Sequence, residues 1–190
     1  YGATGHETLT IFDDVFVPWG RVFMCGEVNF TGLIVETFSS YHRQNYGGCK
    51  AGMGDVLIGA SALAALYNGV PNAPHIRDKL VEMVHMNETL YACALACSYE
   101  GYRTPSGAYR PEPLLANVCK LNVTRFPYEI ARLSQDIAGG LVATMPSEKD
   151  LQNEKIGNYI LKYLQGDAKY PTEHRMRIFR LIENLTMSTG

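Results

Sequence analysis

The chain has 190 residues, 46% of them apolar and 19% charged, with a formal charge of −2. This is ordinary globular composition, enough for one domain's core, and it excludes a collagen-like chain or a disordered polyelectrolyte. No basic stripe recruits nucleic acid, and no run approaches 18 consecutive apolar residues, so neither nucleic acid nor a membrane is an expected partner. The five cysteines are odd in number and irregularly spaced, which argues against a disulfide framework and for reduced thiols in a cytoplasmic setting. The first residue is Tyr1 rather than methionine and the last two are Thr189-Gly190, so the chain reads as a fragment.

Residues 8–23 are rich in Thr, Ile, Phe and Val, interrupted by Asp13-Asp14 and Pro18, and read as the last strand of a β region. Residues 1–27 are accordingly expected to end a β domain and residues 28–190 to form a helical one. A long helix is expected from Val28 to Asn68, with a break at Gly47-Gly48 and an Ala-rich second half. Pro71 and Pro74 separate it from a second helix, in which Ile76, Leu80, Met83, Val84, Asn87, Leu90, Tyr91, Ala94 and Leu95 keep a buried helical stripe. A Pro- and Gly-rich loop from Arg103 to Pro113 precedes a third helix, Leu114 to Ile137, bent or interrupted near Pro127 and closed by Gly139-Gly140. Ser147 caps a helix expected to run to Gln165, and a last helix follows Pro171. Four or five long helices joined by short connections make the fold class mainly α, an up-and-down bundle.

Chemistry concentrates in the run Tyr41-His42-Arg43-Gln44-Asn45-Tyr46-Gly47-Gly48-Cys49-Lys50. His42 and Cys49 are seven residues apart, two helical turns, so both face the same way roughly 10 Å apart along the axis. One large cofactor could reach both, whereas one tetrahedral ion could not. Read alone, the pair is also what a satisfied core histidine and a small buried hydrophobe look like. Tyr46, four residues past His42 and three before Cys49, shares that face and could donate a hydrogen bond, and Lys50 could offset negative charge. No Gly-x-Gly-x-x-Gly or phosphate loop is present, so no Rossmann mode of flavin binding is expected.

Three runs together carry a family resemblance: Phe12-Asp13-Asp14-Val15-Phe16-Val17-Pro18-Trp19, then Tyr41 to Gly52, then Gly139-Gly140-Leu141-Val142-Ala143-Thr144-Met145-Pro146-Ser147. They resemble the flavin-dependent 4-hydroxyphenylacetate 3-hydroxylase family, whose fold is similar to the acyl-CoA dehydrogenases, and within it the 4-hydroxybutyryl-CoA dehydratase branch. The resemblance spans nearly the whole chain, and the histidine, tyrosine and cysteine of the second run are its branch-specific part. It implies the C-terminal bundle of an acyl-CoA dehydrogenase-like fold, a homotetramer in the full-length protein, and dehydration of 4-hydroxybutyryl-CoA to crotonyl-CoA with vinylacetyl-CoA isomerase activity. It also implies FAD and a [4Fe-4S] cluster. His42 and Cys49 match two cluster ligands, and the family's upstream Cys-x-x-x-Cys pair has no match here in the right place. Cys93 and Cys97 have that spacing but lie on a later helix, where they read as packing residues. Glu7 matches a glutamate that orients substrate, while His6 beside it has no assigned role. His42, Tyr46, Glu7 and Lys50 are thus the expected catalytic set. Gln135, Gly139 and Gly140 resemble the segment with which such proteins touch the FAD of a neighbouring subunit. A glycine pair is equally an ordinary helix end. The rival readings are a cluster-free aromatic hydroxylase using reduced flavin and oxygen, and a helical assembly module with no cofactor.

Overall fold

A computed structural model describes residues 8–187. Eight α-helices and one short hairpin occur among them: α1 (Thr31–Tyr67), α2 (Pro74–Tyr99), β1 (Tyr102–Arg103), β2 (Tyr109–Arg110), α3 (Pro113–Val123), α4 (Phe126–Ala138), α5 (Leu141–Thr144), α6 (Glu148–Leu151), α7 (Gly157–Tyr163) and α8 (Thr172–Thr186). The 37-residue α1 is the axis of the bundle and packs against α2, α3, α4 and α8.

The termini follow local chemistry. Pro74 and Pro113 begin α2 and α3 in the first turn, where a missing N–H costs nothing, and Pro127 does the same for α4. Of the bend or interruption expected near Pro127, the structure shows the interruption, between α3 and α4. Glu112 caps α3 by accepting from the Leu115 N–H at 2.5 Å. Ser147 and Asp150 form a reciprocal capping box on α6.

Two apolar clusters hold the bundle. The larger joins Leu57, Ala60 and Ala64 of α1 to Met83 and Met86 of α2, Ile130, Leu133 and Ile137 of α4, and Phe179 and Ile182 of α8. The smaller joins Leu90, Ala94 and Cys97 of α2 to Ala116, Cys119 and Val123 of α3. Cys97 is fully buried there, which bears out its reading as packing. Burial pushes its thiol up to about 11 and raises that of Cys119 as well. By length and composition Val28–Tyr67 is the one segment among the described residues that could cross a membrane. One face of it, however, is the bundle's core, and Glu36, Arg43, Lys50 and Asp55 lie along the helix.

Five sequence expectations change. Of the stripe expected to be buried along α2, Val84, Tyr91 and Leu95 are exposed, because the bundle covers only the side of the helix that carries Met83, Leu90 and Ala94. Residues 8–23 form no strand: no ladder partner lies beside them among the described residues, Asp14 sits at φ +50°, and Trp19–Arg21 is a 3-10 turn. Gly47-Gly48 does not break α1, which runs straight through the pair. A Cβ at Gly47 would lie 2.5 Å from Cys119 Sγ and 2.8 Å from Ala94 Cβ, so the glycine admits α2 and α3 rather than a bend. The loop after α2 contains the β1–β2 hairpin, turned by Gly107 at φ +86°. The expected helix to Gln165 is two short ones, α6 and α7. The chain turns back at Asn153, and Gly157 packs against the Leu151 carbonyl, where no Cβ fits.

Candidate functional site

The first half of α1 is fixed from three sides before it presents any chemistry. The hairpin docks on it through Tyr41, which donates to the Tyr109 carbonyl at 2.5 Å, and through a Glu36–Arg110 ion pair of 2.9 Å. Gln44 donates to Ser98 of α2 at 2.9 Å, and Arg43 donates to Asn117 of α3. These contacts set the rotation of the helix and hence the direction of His42, Tyr46, Cys49 and Lys50.

Along the outward face runs a column of rings at four-residue steps. Phe38 stacks on His42 with centroids 5.4 Å apart, and His42 meets Tyr46 edge-on at 4.6 Å. His42 and Cys49 are both exposed, and neither side chain makes a hydrogen bond among the described residues. The expectation that they share a face is met, and neither is the core residue that an isolated reading would make it. Tyr46 is half-buried and turns toward a groove of about 510 Å³.

That groove gathers residues from three distant parts of the chain. Tyr46, Lys50, Met53, Gly54 and Leu57 come from α1, Lys120 and Val123 from α3, and Ile130, Ala131, Leu185 and Thr186 from α4 and α8. Its floor is apolar, two lysines border it, and among the described residues no acidic side chain lines it. Among the described residues Lys50 Nζ reaches only Met53 Sδ, at 3.7 Å. Lys120 Nζ lies 4.1 Å from the centre of the Tyr46 ring. The structure thus brings Tyr46 and Lys50 together at the groove and places His42 beside them, with Cys49 on the open surface next to it.

The other expected residues lie apart. Gln135 donates to the Thr186 carbonyl at 3.4 Å at the end of the groove, without lining it. Gly139 caps α4 at φ +76°, a conformation that itself asks for glycine. Gly140 has ordinary helical φ and nothing within 4 Å of a Cβ, so neither backbone nor packing in this chain requires a glycine there. Glu7 and His6 lie outside the described residues. Lys120 was not singled out from sequence, and Phe38 was read only onto a helix face with Ile34, Tyr41 and Asn45, not beside His42. Phe38 was within reach, since it precedes His42 by the same four residues that separate His42 from Tyr46. Lys120 had no local signal.

The donor set is small. Among the described residues no three His, Cys, Asp or Glu side chains converge on a point where they could hold an ion. His42 and Cys49 are a soft pair, imidazole and thiol, free and on one face, which fits half of an iron–sulfur ligand set and no more.

Comparisons with known proteins give the chain its relatives. The 4-hydroxybutyryl-CoA dehydratase/vinylacetyl-CoA-Delta-isomerase of Clostridium aminobutyricum is 54% identical over 98% of this chain and 40% of its own length. The oxygenase component of 4-hydroxyphenylacetate 3-monooxygenase from Thermus thermophilus is 27% identical over 96% of the chain and 38% of its own. Among solved structures, an oxygen-tolerant archaeal 4-hydroxybutyryl-CoA dehydratase from N. maritimus superposes with a TM-score of 0.90 at 56% identity, over 95% of this chain and 35% of that one. The HpaB oxygenase component complexed with FAD superposes at 0.83 with 26% identity, over 94% of this chain and 38% of that one. The chain therefore spans about two fifths of the curated relatives it matches. Residues 31–190 match the family described as 4-hydroxyphenylacetate 3-hydroxylase C terminal, and the chain belongs to that family, with the mainly α, acyl-CoA dehydrogenase-like bundle expected of it.

Proposed function

We propose that this chain serves as the C-terminal helical part of a 4-hydroxybutyryl-CoA dehydratase with vinylacetyl-CoA isomerase activity, a hydro-lyase acting on an acyl-CoA in the cytoplasm. The observation that carries the reading is the free His42–Cys49 pair on one face of α1, beside a groove bordered by Tyr46 and Lys50. An aromatic hydroxylase has no need of an exposed thiol and imidazole two turns apart. The high identity to a dehydratase, about twice that to the monooxygenase, supports the same choice.

In this reading His42 and Cys49 hold two corners of a [4Fe-4S] cluster, and Gly140, whose open position no packing in this chain explains, lets FAD approach with Gln135 and Gly139 nearby. When bound, these groups supply a Lewis-acid iron for a poor leaving group and a transient one-electron acceptor, with no net redox change between 4-hydroxybutyryl-CoA and crotonyl-CoA plus water. His42 would serve as the base for the C3 proton only when its ring nitrogen is released from the cluster. Tyr46, whose hydroxyl makes no hydrogen bond among the described residues, donates to the oxygen that gathers charge. Lys50 offsets that charge from the groove's rim. Glu7 orients the substrate. The full-length protein works as a homotetramer.

Substitution tests the ligand assignment in the full-length enzyme prepared without oxygen. Cys49→Ser and His42→Ala should each lose iron and dehydration activity while the helical circular dichroism is kept. Full iron content together with an unchanged rate in both variants would overturn the reading.

A further inference from the structure

Tyr46 is held on two sides. His42 meets it edge-on at 4.6 Å, and the Lys120 ammonium lies 4.1 Å from its ring centre. The second contact follows from the backbone: Gly47 and Cys119, the adjacent residues on α1 and α3, are the point where those helices come too close for any Cβ. Lys120 has no carboxylate partner among the described residues, and no acidic side chain lines the groove it borders. The negative face of the Tyr46 ring is the partner this ammonium has, and a cation over a ring fixes the ring's plane as well as attracting it. The Tyr46 hydroxyl makes no hydrogen bond of its own among the described residues, so its direction follows from what holds the ring: the apolar cluster it packs on, His42 at its edge and Lys120, the one charged group of the three, over its face.

We propose that Lys120 is a positioning residue for Tyr46, clamping the ring so that its hydroxyl is presented to the groove in one orientation. The proposal rests on the catalytic reading of Tyr46, and the test separates the two. Four variants of the full-length enzyme are compared: Tyr46→Phe, Lys120→Met, Lys120→Arg and the double variant Tyr46→Phe/Lys120→Met. Lys120→Met keeps the length of the stem and removes the charge, and should lower kcat about tenfold with KM unchanged, on the scale of one partly desolvated cation–π contact. Lys120→Arg, which keeps a cation over the ring, should restore most of the rate. In the Tyr46→Phe background, Lys120→Met should cost nothing further. With 3-fluorotyrosine at position 46, the fluorine resonance should shift or split on Lys120→Met and return with Lys120→Arg. A raised KM at constant kcat, or costs that multiply in the double variant, would make Lys120 a substrate-binding cation and overturn the proposal. An unchanged rate in Tyr46→Phe would remove the catalytic reading of Tyr46, and the fluorine resonance would then decide the clamp alone: unmoved by Lys120→Met, it overturns the clamp too.

Discussion

At Gly47 an added methyl would sit 2.5 Å from Cys119 Sγ and 2.8 Å from Ala94 Cβ, whereas at Gly48 it would meet nothing within 4 Å. Both glycines lie within the helical run of α1, and neither has a positive φ. The two neighbours therefore make opposite predictions for alanine. Gly47→Ala overpacks the contact of three helices and should destabilise by about 1–3 kcal/mol. Gly48→Ala only removes chain flexibility from an exposed helical position and should stabilise by about 0.5–1 kcal/mol. Urea midpoints of the dilute chain, followed by circular dichroism, check both. A Gly47→Ala variant as stable as the parent would mean that α1 and α3 do not approach as described. The same contact aligns Lys120 with Tyr46, so Gly47→Ala in the full-length enzyme should also lower turnover. At Gly54 the reason for glycine is different: a Cβ there would collide with the buried Asn87 amide, which donates to the Ala51 carbonyl and to Asp55.

Among the elements, α1, α2, α3, α4 and α8 were legible because each carries a helical apolar stripe bounded by proline or glycine. The hairpin was not legible, since two-residue strands have no alternation to read and their pairing is a tertiary event. Residues 8–23 have the composition of a strand without a partner beside them, and composition does not supply one. The site divides in the same way. His42, Tyr46, Cys49 and Lys50 share one helix, so spacing alone placed them on one face, whereas Lys120 arrives through the packing of α3 on α1. The junction of α2 and α3 makes its own prediction. Cys97 titrates near 11 when folded, above the ordinary thiol value of 9.0, because burial disfavours its thiolate. Between those values the folded state holds a proton that the unfolded state has lost, so stability is full below pH 9 and falls as pH rises toward 11. Cys97→Ala should flatten the decline. A parent whose unfolding midpoint is level across that range would contradict it. Thiol labelling at neutral pH should modify the exposed Cys25 and Cys49 quickly, and Cys97 and Cys119 only after unfolding.

Across the described residues many large apolar side chains stand in water. In the first described segment Leu9, Phe12, Phe16, Trp19 and Phe23 are each more than three-quarters exposed. Leu33, Val35 and Phe38 extend the surface along α1, with more than half of each in water. Scattered apolar side chains need no partner, but this many large ones in water favour association of the free chain. The helices beneath it are nonetheless closed by two apolar clusters, with Met83, Leu90, Cys97, Cys119, Phe179 and Ile182 fully buried. Core and surface therefore make different predictions for residues 1–190 expressed alone. The core should give a helical circular dichroism spectrum, and the patch should give light scattering that rises with concentration at dilutions where that spectrum is intact. Under the proposed ligand assignment the described residues of the chain offer His42 and Cys49, two of four cluster ligands. Supplied with iron, sulfide and FAD without oxygen, it should stay colourless and catalyse no dehydration. A monodisperse monomer with a brown iron–sulfur spectrum would show that the patch is tolerated and that two ligands suffice, against both parts of the argument.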